Sequence, residues 1–294
     1  MSEQVRIANG GLTASFSTLG AELLSLTDRA GREFMTDADP AFWTGHAPLL
    51  FPIVGRLNGD SLRVEGIEYA MKQHGFARKS EWEIVGEGED AVTFRLRDSE
   101  ATRAAYPFAF DLSVLYSLEG NTLSTVVRVA NPGEVPLPFS FGFHPAFAWP
   151  LPDGGDKGEH VIAFAADEPA DIRRLDANGL LATCEPSPVH HRILPLRHEQ
   201  FEADAMIWDD LASRSLIYRG RPGGPSLALR FPELPQLGIW QKPGANFLCI
   251  EPWAGHADPA GFDGDFTEKP GAILLDPGAE HRMALDITVH QRSA

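Results

Sequence analysis

The chain has 294 residues, 43% of them apolar and 22% charged, which supplies enough apolar mass for a substantial core and too few charges for wholesale disorder. Its 41 acidic residues outnumber 25 basic ones, giving a net charge of −16; such a surface repels phosphate backbones and anionic headgroups, arguing against nucleic acid or a membrane as partner. The N-terminal residues lack the basic-then-apolar profile of a secretory signal, and no apolar run approaches the roughly 18 residues of a membrane span. Cys184 and Cys249 are the only cysteines and lie far apart, so no structural disulfide is expected and a reducing cytoplasm is the expected location.

The dominant period along the chain is two. Short alternating runs at 12–16 and 22–26 read as strands, and 62–64 and 67–71 flank Glu65-Gly66 as a hairpin. Runs at 82–85 and 92–96 follow. Leu112, Val114, Tyr116 and Leu118, then Leu123, Thr125, Val127 and Val129, flank Gly120-Asn121 as a second hairpin, stopped by Asn131-Pro132-Gly133. Residues 138–145 alternate phenylalanine with Ser140, Gly142 and His144. After a surface loop at 150–160, strands resume at Val161 and recur at 205–208, 215–218, 227–231, 247–251 and 283–289. Helical periodicity is almost absent; only 40–46 and 99–105 supply short helical turns. The pattern predicts one all-β domain spanning 1–294, a large β-sandwich of two stacked sheets.

Three ionisable residues stand in unusual settings. His74 precedes Gly75, which permits a sharp bend or close backbone approach, so it reads either as a strand-end histidine on a cleft or as a surface turn residue. In 138–145, Phe139, Phe141 and Phe143 share one strand face and Ser140, Gly142 and His144 the other. The small residues there leave room for a ligand beside His144, although a half-exposed strand histidine fits the same pattern. Glu251 ends the apolar run 247–250 before Pro252, which cannot continue the ladder. Desolvation is expected to raise its pKa and suit it to proton transfer; a salt-bridged strand end is the other reading. Arg56 offers a fixed guanidinium fork, Asp204, Asp209 and Asp210 surround a short strand, and Trp240, Trp253 and Phe76 can present flat faces to a sugar ring or simply pack the core. There is no phosphate-binding glycine loop, no Gly-x-Ser-x-Gly elbow and no cysteine pair at zinc spacing. His190 and His191 point to opposite strand faces and are not expected to share a metal with His198.

Four stretches, 47–56 (Ala-Pro-Leu-Leu-Phe-Pro-Ile-Val-Gly-Arg), 73–78 (Gln-His-Gly-Phe-Ala-Arg), 142–147 (Gly-Phe-His-Pro-Ala-Phe) and 249–255 (Cys-Ile-Glu-Pro-Trp-Ala-Gly), taken in order, resemble the aldose 1-epimerase (galactose mutarotase-like) superfamily and its LacX-like bacterial branch. The resemblance covers essentially the whole chain. It implies a β-supersandwich with a sugar cleft, His74 bonding the ring oxygen or an adjacent hydroxyl, His144 as general acid, Glu251 as general base, and Arg56 and Asp204 binding the sugar; Trp240, as a flat apolar face, is the further candidate for sugar contact. No metal or organic cofactor is implied. The partner is a small sugar, and the chain is expected as a monomer or homodimer. Galactose mutarotases proper carry a glutamine where this chain has Leu237-Gly238-Ile239-Trp240, which leaves the acid–base pair intact and galactose specificity unsupported.

The implied reaction opens and recloses a hemiacetal. It requires an imidazole at 144 and a carboxylate at 251 facing each other across a pocket the width of a pyranose, with Glu251 and Asp204 keeping His144 protonated near pH 7. Rival readings are a hexose-6-phosphate or modified-sugar 1-epimerase, with Arg56, Lys72, Arg78 and Lys79 as a phosphate clamp, a non-catalytic carbohydrate-binding protein, and a glycoside hydrolase using Glu251 and Asp204.

Overall fold

The hairpin alternation turns directly into the larger of two sheets. The computed structural model describes residues 2–291. Strands Asp111–Glu119 and Thr122–Ala130 pair at all nine positions around Gly120-Asn121, and Thr122–Ala130 pairs on its other edge with Glu280–His290. These form the middle of a nine-stranded antiparallel sheet. Leu112, Val114, Tyr116 and Leu118 are buried while Ser113, Leu115 and Ser117 face outward, as the period of two requires. The Glu65-Gly66 hairpin also forms, joining Ser61–Val64 to Ile67–Ala70; both turn residues adopt positive φ, the conformation that matches the twist of a two-residue hairpin.

The second sheet has eight strands, most of them only two to five residues long. At its centre Phe247–Ala254 is buried at every one of its eight positions, because both faces of this sheet are covered. On one face Leu248, Ile250 and Ala254 join the main core shared with the nine-stranded sheet. On the other, two smaller apolar clusters collect: Leu50, Val54, Leu181, Ala205, Ile207, Trp253 and Ala257 in one, and Ala146, Ala245, Phe247 and Cys249 in the other.

Residues 138–145 do not form one strand. Leu137–Phe139 pairs with Ile273–Leu275, and Phe141–Phe143 pairs with Phe247–Ala254 and Leu49–Leu50. The switch falls at Ser140, whose N–H donates to the Pro52 carbonyl at 2.8 Å. The alternation survives the break, and Phe139, Phe141 and Phe143 all lie in the main core. Each such burial contributes about 1.5–3 kcal/mol.

Of the two expected helical turns, one forms. Glu100–Arg103 is a single-turn helix capped by Ser99, which accepts from the Thr102 N–H and has its own N–H bonded by Thr102. Residues 40–46 make only a turn, in which the Asp39 carbonyl accepts from both Phe42 and Trp43 N–H groups. Residues 150–160 are largely loop, closed by the short 3-10 turn Lys157–Glu159. Among the described residues no helix is long and apolar enough to cross a membrane.

Candidate active site

On the face of the eight-stranded sheet away from the main core lies a pocket of about 300 Å³, lined by Trp43, His74, Arg78, His144, Asp204, Trp240, Glu251 and Trp253 among others. Its floor follows from two glycines. A Cβ on Gly142 would stand 2.5 Å from the Trp253 ring, and one on Gly238 would stand 2.3 Å from it. The indole therefore lies flat across both strands neighbouring its own. The room that Gly142 leaves is filled by this tryptophan rather than by ligand, and the ligand space begins above it. A larger hollow, about 650 Å³, sits on the solvent face of the nine-stranded sheet among residues such as Ala163, Ile217, Ala228 and Thr288. It holds no buried acid–base pair, so size alone does not locate the site.

Period two along Phe247–Ala254 places Glu251 on the pocket side with Trp253 and Cys249. His144 follows Phe143, where Phe141–Phe143 runs beside that strand. The result is direct contact: His144 Nε2 lies 3.2 Å from Glu251 Oε2, with His144 7% and Glu251 2% exposed. The two groups do not face each other across the width of a pyranose.

Burial sets the electrostatics of the pair. Desolvation pushes the Glu251 carboxyl well above the usual carboxylate range, with the negative Asp204 adding to the rise and the Trp253 indole N–H opposing it. Desolvation also pulls His144 down to about 3, helped by the nearby positive Arg78. The expectation that neighbouring carboxylates keep His144 protonated near pH 7 is not met, because desolvation outweighs them. Burial thus opposes the charged form of each group, the carboxylate of Glu251 and the imidazolium of His144.

His74 is fixed by its backbone. It sits at φ 66°, its N–H donates to the Gly55 carbonyl at 2.8 Å, and its Nδ1 accepts the Gly55 N–H at 3.1 Å. A Cβ on Gly75 would stand 2.2 Å from the Phe51 carbonyl oxygen, so only glycine allows this close packing. With Nδ1 accepting, the neutral ring carries its proton on Nε2. Burial, then the fields of His144 and Arg78, hold its pKa well below the usual histidine value. His74 is therefore a hydrogen-bond donor rather than a source of protons. Its ring meets His144 edge-on at 5.6 Å.

The remaining expected residues divide. Asp204 and Trp240 line the pocket, whereas Asp209 pairs with Arg173 at 3.3 Å and lies outside it. Arg56 does not line it either. Its Nε lies 3.0 Å from Asp60 Oδ1 and its Nη1 donates to the Asn178 carbonyl, which directs part of the fork to the neighbouring loop. The arginine that does line the pocket is Arg78, which donates to the Gln73 carbonyl and leaves a buried Nε without a partner.

Trp43 was not foreseen. Its ring stacks on His144 at 5.0 Å and 29°, and it meets Trp240 and Phe247 at 5.7 and 5.6 Å. Gly45 makes this possible, because a Cβ there would stand 2.4 Å from the Trp43 ring. His144 Nδ1 has no hydrogen-bond partner, so the imidazole is oriented by rings instead of by a third polar group. The only sequence signal was an aromatic pair, Phe42-Trp43, in a loop that carries glycine two residues later.

A family model described as aldose 1-epimerase matches residues 3–282. The plasmid-encoded protein LacX of Lactococcus lactis is 32% identical over 97% of this chain and 99% of its own length. The crystal structure of a galactose mutarotase related enzyme from Lactobacillus acidophilus superposes with a TM-score of 0.91 at 32% identity, covering 99% of this chain and 98% of that one. A galactose mutarotase-like protein from Lactobacillus casei gives 0.90 at 30% identity, over 98% and 100% of the two chains. The chain belongs to the aldose 1-epimerase family, a family of carbohydrate epimerases built on this sandwich.

Proposed function

We propose that the protein interconverts the α and β anomers of an aldose by acid–base ring opening, with Glu251 and His144 moving the two protons. The observation that carries this reading is the 3.2 Å contact of the two groups at the wall of a sugar-sized pocket. Sugar hydroxyls donating to the Glu251 carboxylate favour its charged form, and its proton passes to His144 across the contact. Glu251 then takes the proton of the C1 hydroxyl while His144 gives its proton to O5, and the C1–O5 bond breaks. Both groups end neutral, the form the dry pocket prefers. Rotation about C1–C2 exposes the other face of the aldehyde, and closure returns each proton along the same route. At every stage the pair holds one proton or has exchanged it with the sugar, so nothing else need be supplied. His74 donates to the ring oxygen or a neighbouring hydroxyl, Asp204 accepts from sugar hydroxyls, and Trp240 and Trp253 offer apolar faces.

A second reading within the same chemistry is favoured by Arg78. This cation lines the pocket near both histidines and has no carboxylate within ion-pair distance among the described residues. His144 addresses O5, and the C5 substituent is attached next to O5. An anionic group there, phosphate or carboxylate, would meet Arg78. The test is a panel of freshly dissolved aldoses, their 6-phosphates and uronic acids, followed by polarimetry. Faster anomerisation of one class supports the reading and names the substrate. Sugar binding with no acceleration anywhere in the panel would instead make this a carbohydrate-binding protein.

A further inference from the structure

Cys249 lies two residues before Glu251 on the same face of the central strand, and it is fully buried. Its Sγ, a ring nitrogen of His144 and a carboxylate oxygen of Glu251 all lie within 4.8 Å of one another. The His144–Glu251 edge of that triangle is 3.2 Å. Zinc bonds of about 2.0–2.2 Å to nitrogen and oxygen place tetrahedral ligands about 3.3 Å apart, so this edge already has the required length, and the thiol has only to close in. We propose that His144, Cys249 and Glu251 bind a soft divalent cation of the zinc type, and that the sugar reaction stops while the ion is held.

The donor set suits such an ion: a bound cation would be held by the sulfur as thiolate, by a carboxylate oxygen and by a neutral imidazole nitrogen. Thiolate and imidazole select zinc or cadmium over magnesium or calcium. The pocket is lined by His144 and Glu251 but not by Cys249, so an incoming ion meets the pair first and the thiol behind it. Three protein ligands leave a fourth position towards the pocket. His144 Nδ1 lacks the carbonyl or carboxylate that usually orients a ligating histidine. This incomplete outer shell suits a reversible inhibitory ion better than a resident cofactor.

The inhibitory half rests on reading the pair as the proton-transfer groups; the binding half does not. The experiment titrates reduced protein with Cd²⁺, reading the thiolate-to-metal absorption band, and with Zn²⁺, reading anomerisation. Wild type and C184S, which removes the exposed thiol, should both show the band and lose activity competitively with sugar, recovering it on chelation. C249A and C249S should keep basal activity, lack the band and need at least tenfold more Zn²⁺ for the same inhibition. No band in wild type, or equal Zn²⁺ sensitivity in the Cys249 variants, would overturn the site. A band without inhibition would leave the ion site standing and overturn the catalytic reading of the pair.

Discussion

The two large sheets are built from the same alternation and put it to different uses. In the nine-stranded sheet, long strands keep register for nine residues and present one face to the core and one to solvent. In the eight-stranded sheet most strands are short, glycines replace side chains at Gly142 and Gly238, and the central strand is buried on both faces. Both sheets supply the main core, and the interrupted one also carries the buried carboxyl and imidazole. Local rules fail where the chemistry sits.

The sharpest way to test this division is to remove the proton-handling groups while leaving both sheets intact. Glu251→Gln and His144→Asn should each lower anomerisation by about 10²–10⁴-fold with an unchanged circular dichroism spectrum. Next in size is a glycine placed in each sheet. Gly238→Ala drives a methyl into Trp253 and should cost about 1–3 kcal/mol in urea unfolding, together with weaker sugar binding. Gly86→Ala, in the nine-stranded sheet, meets Thr93 only at ordinary contact distance, 3.6 Å, and should stay within about 0.5 kcal/mol of wild type. Equal losses would erase the contrast between the sheets.

Smaller effects probe the electrostatics. His144 is held down to about 3 by burial, so it does not titrate in the neutral range. The profile of kcat/KM should therefore show no inflexion near 6.5, where an ordinary histidine titrates. Trp43→Leu, which strips the ring from His144, should slow turnover, and Trp43→Phe should restore most of it. An inflexion near 6.5 in Trp43→Leu alone would mean that the indole also keeps water from the imidazole. The smallest effect concerns stability. Above the unfolded carboxyl's pKa the native state holds more protons than the unfolded one, so Glu251 lowers stability as pH rises towards its raised folded value. Glu251→Gln removes that slope, and its unfolding midpoint should gain on wild type as pH rises above about 4.5.

Much of this was legible from residue order. The hairpins at Glu65-Gly66 and Gly120-Asn121, the phenylalanine face at 139, 141 and 143, and a carboxylate ending a buried strand before proline all depend on near neighbours. What was not legible depends on register between distant segments. The pairing of Gly142 with Trp253 and of Gly238 with Glu251 decides that an indole fills the space beside Gly142 and that the acid touches the imidazole. Arg56 and Arg78 look alike in sequence, and only the folded structure shows that Arg78 lines the pocket while Arg56 lies beside Asp60. Trp43 reaches His144 from a loop without periodicity, where no pattern could point.

The central claim is that His144 and Glu251 act as one proton-handling unit, and a double-variant cycle tests it directly. Anomeric exchange of the best sugar in the panel is measured by magnetisation-transfer NMR for wild type, Glu251→Gln, His144→Asn and the combined variant. If the two share one route, the combined variant is no slower than the slower single variant. Losses that multiply would show two independent contributions and contradict the account.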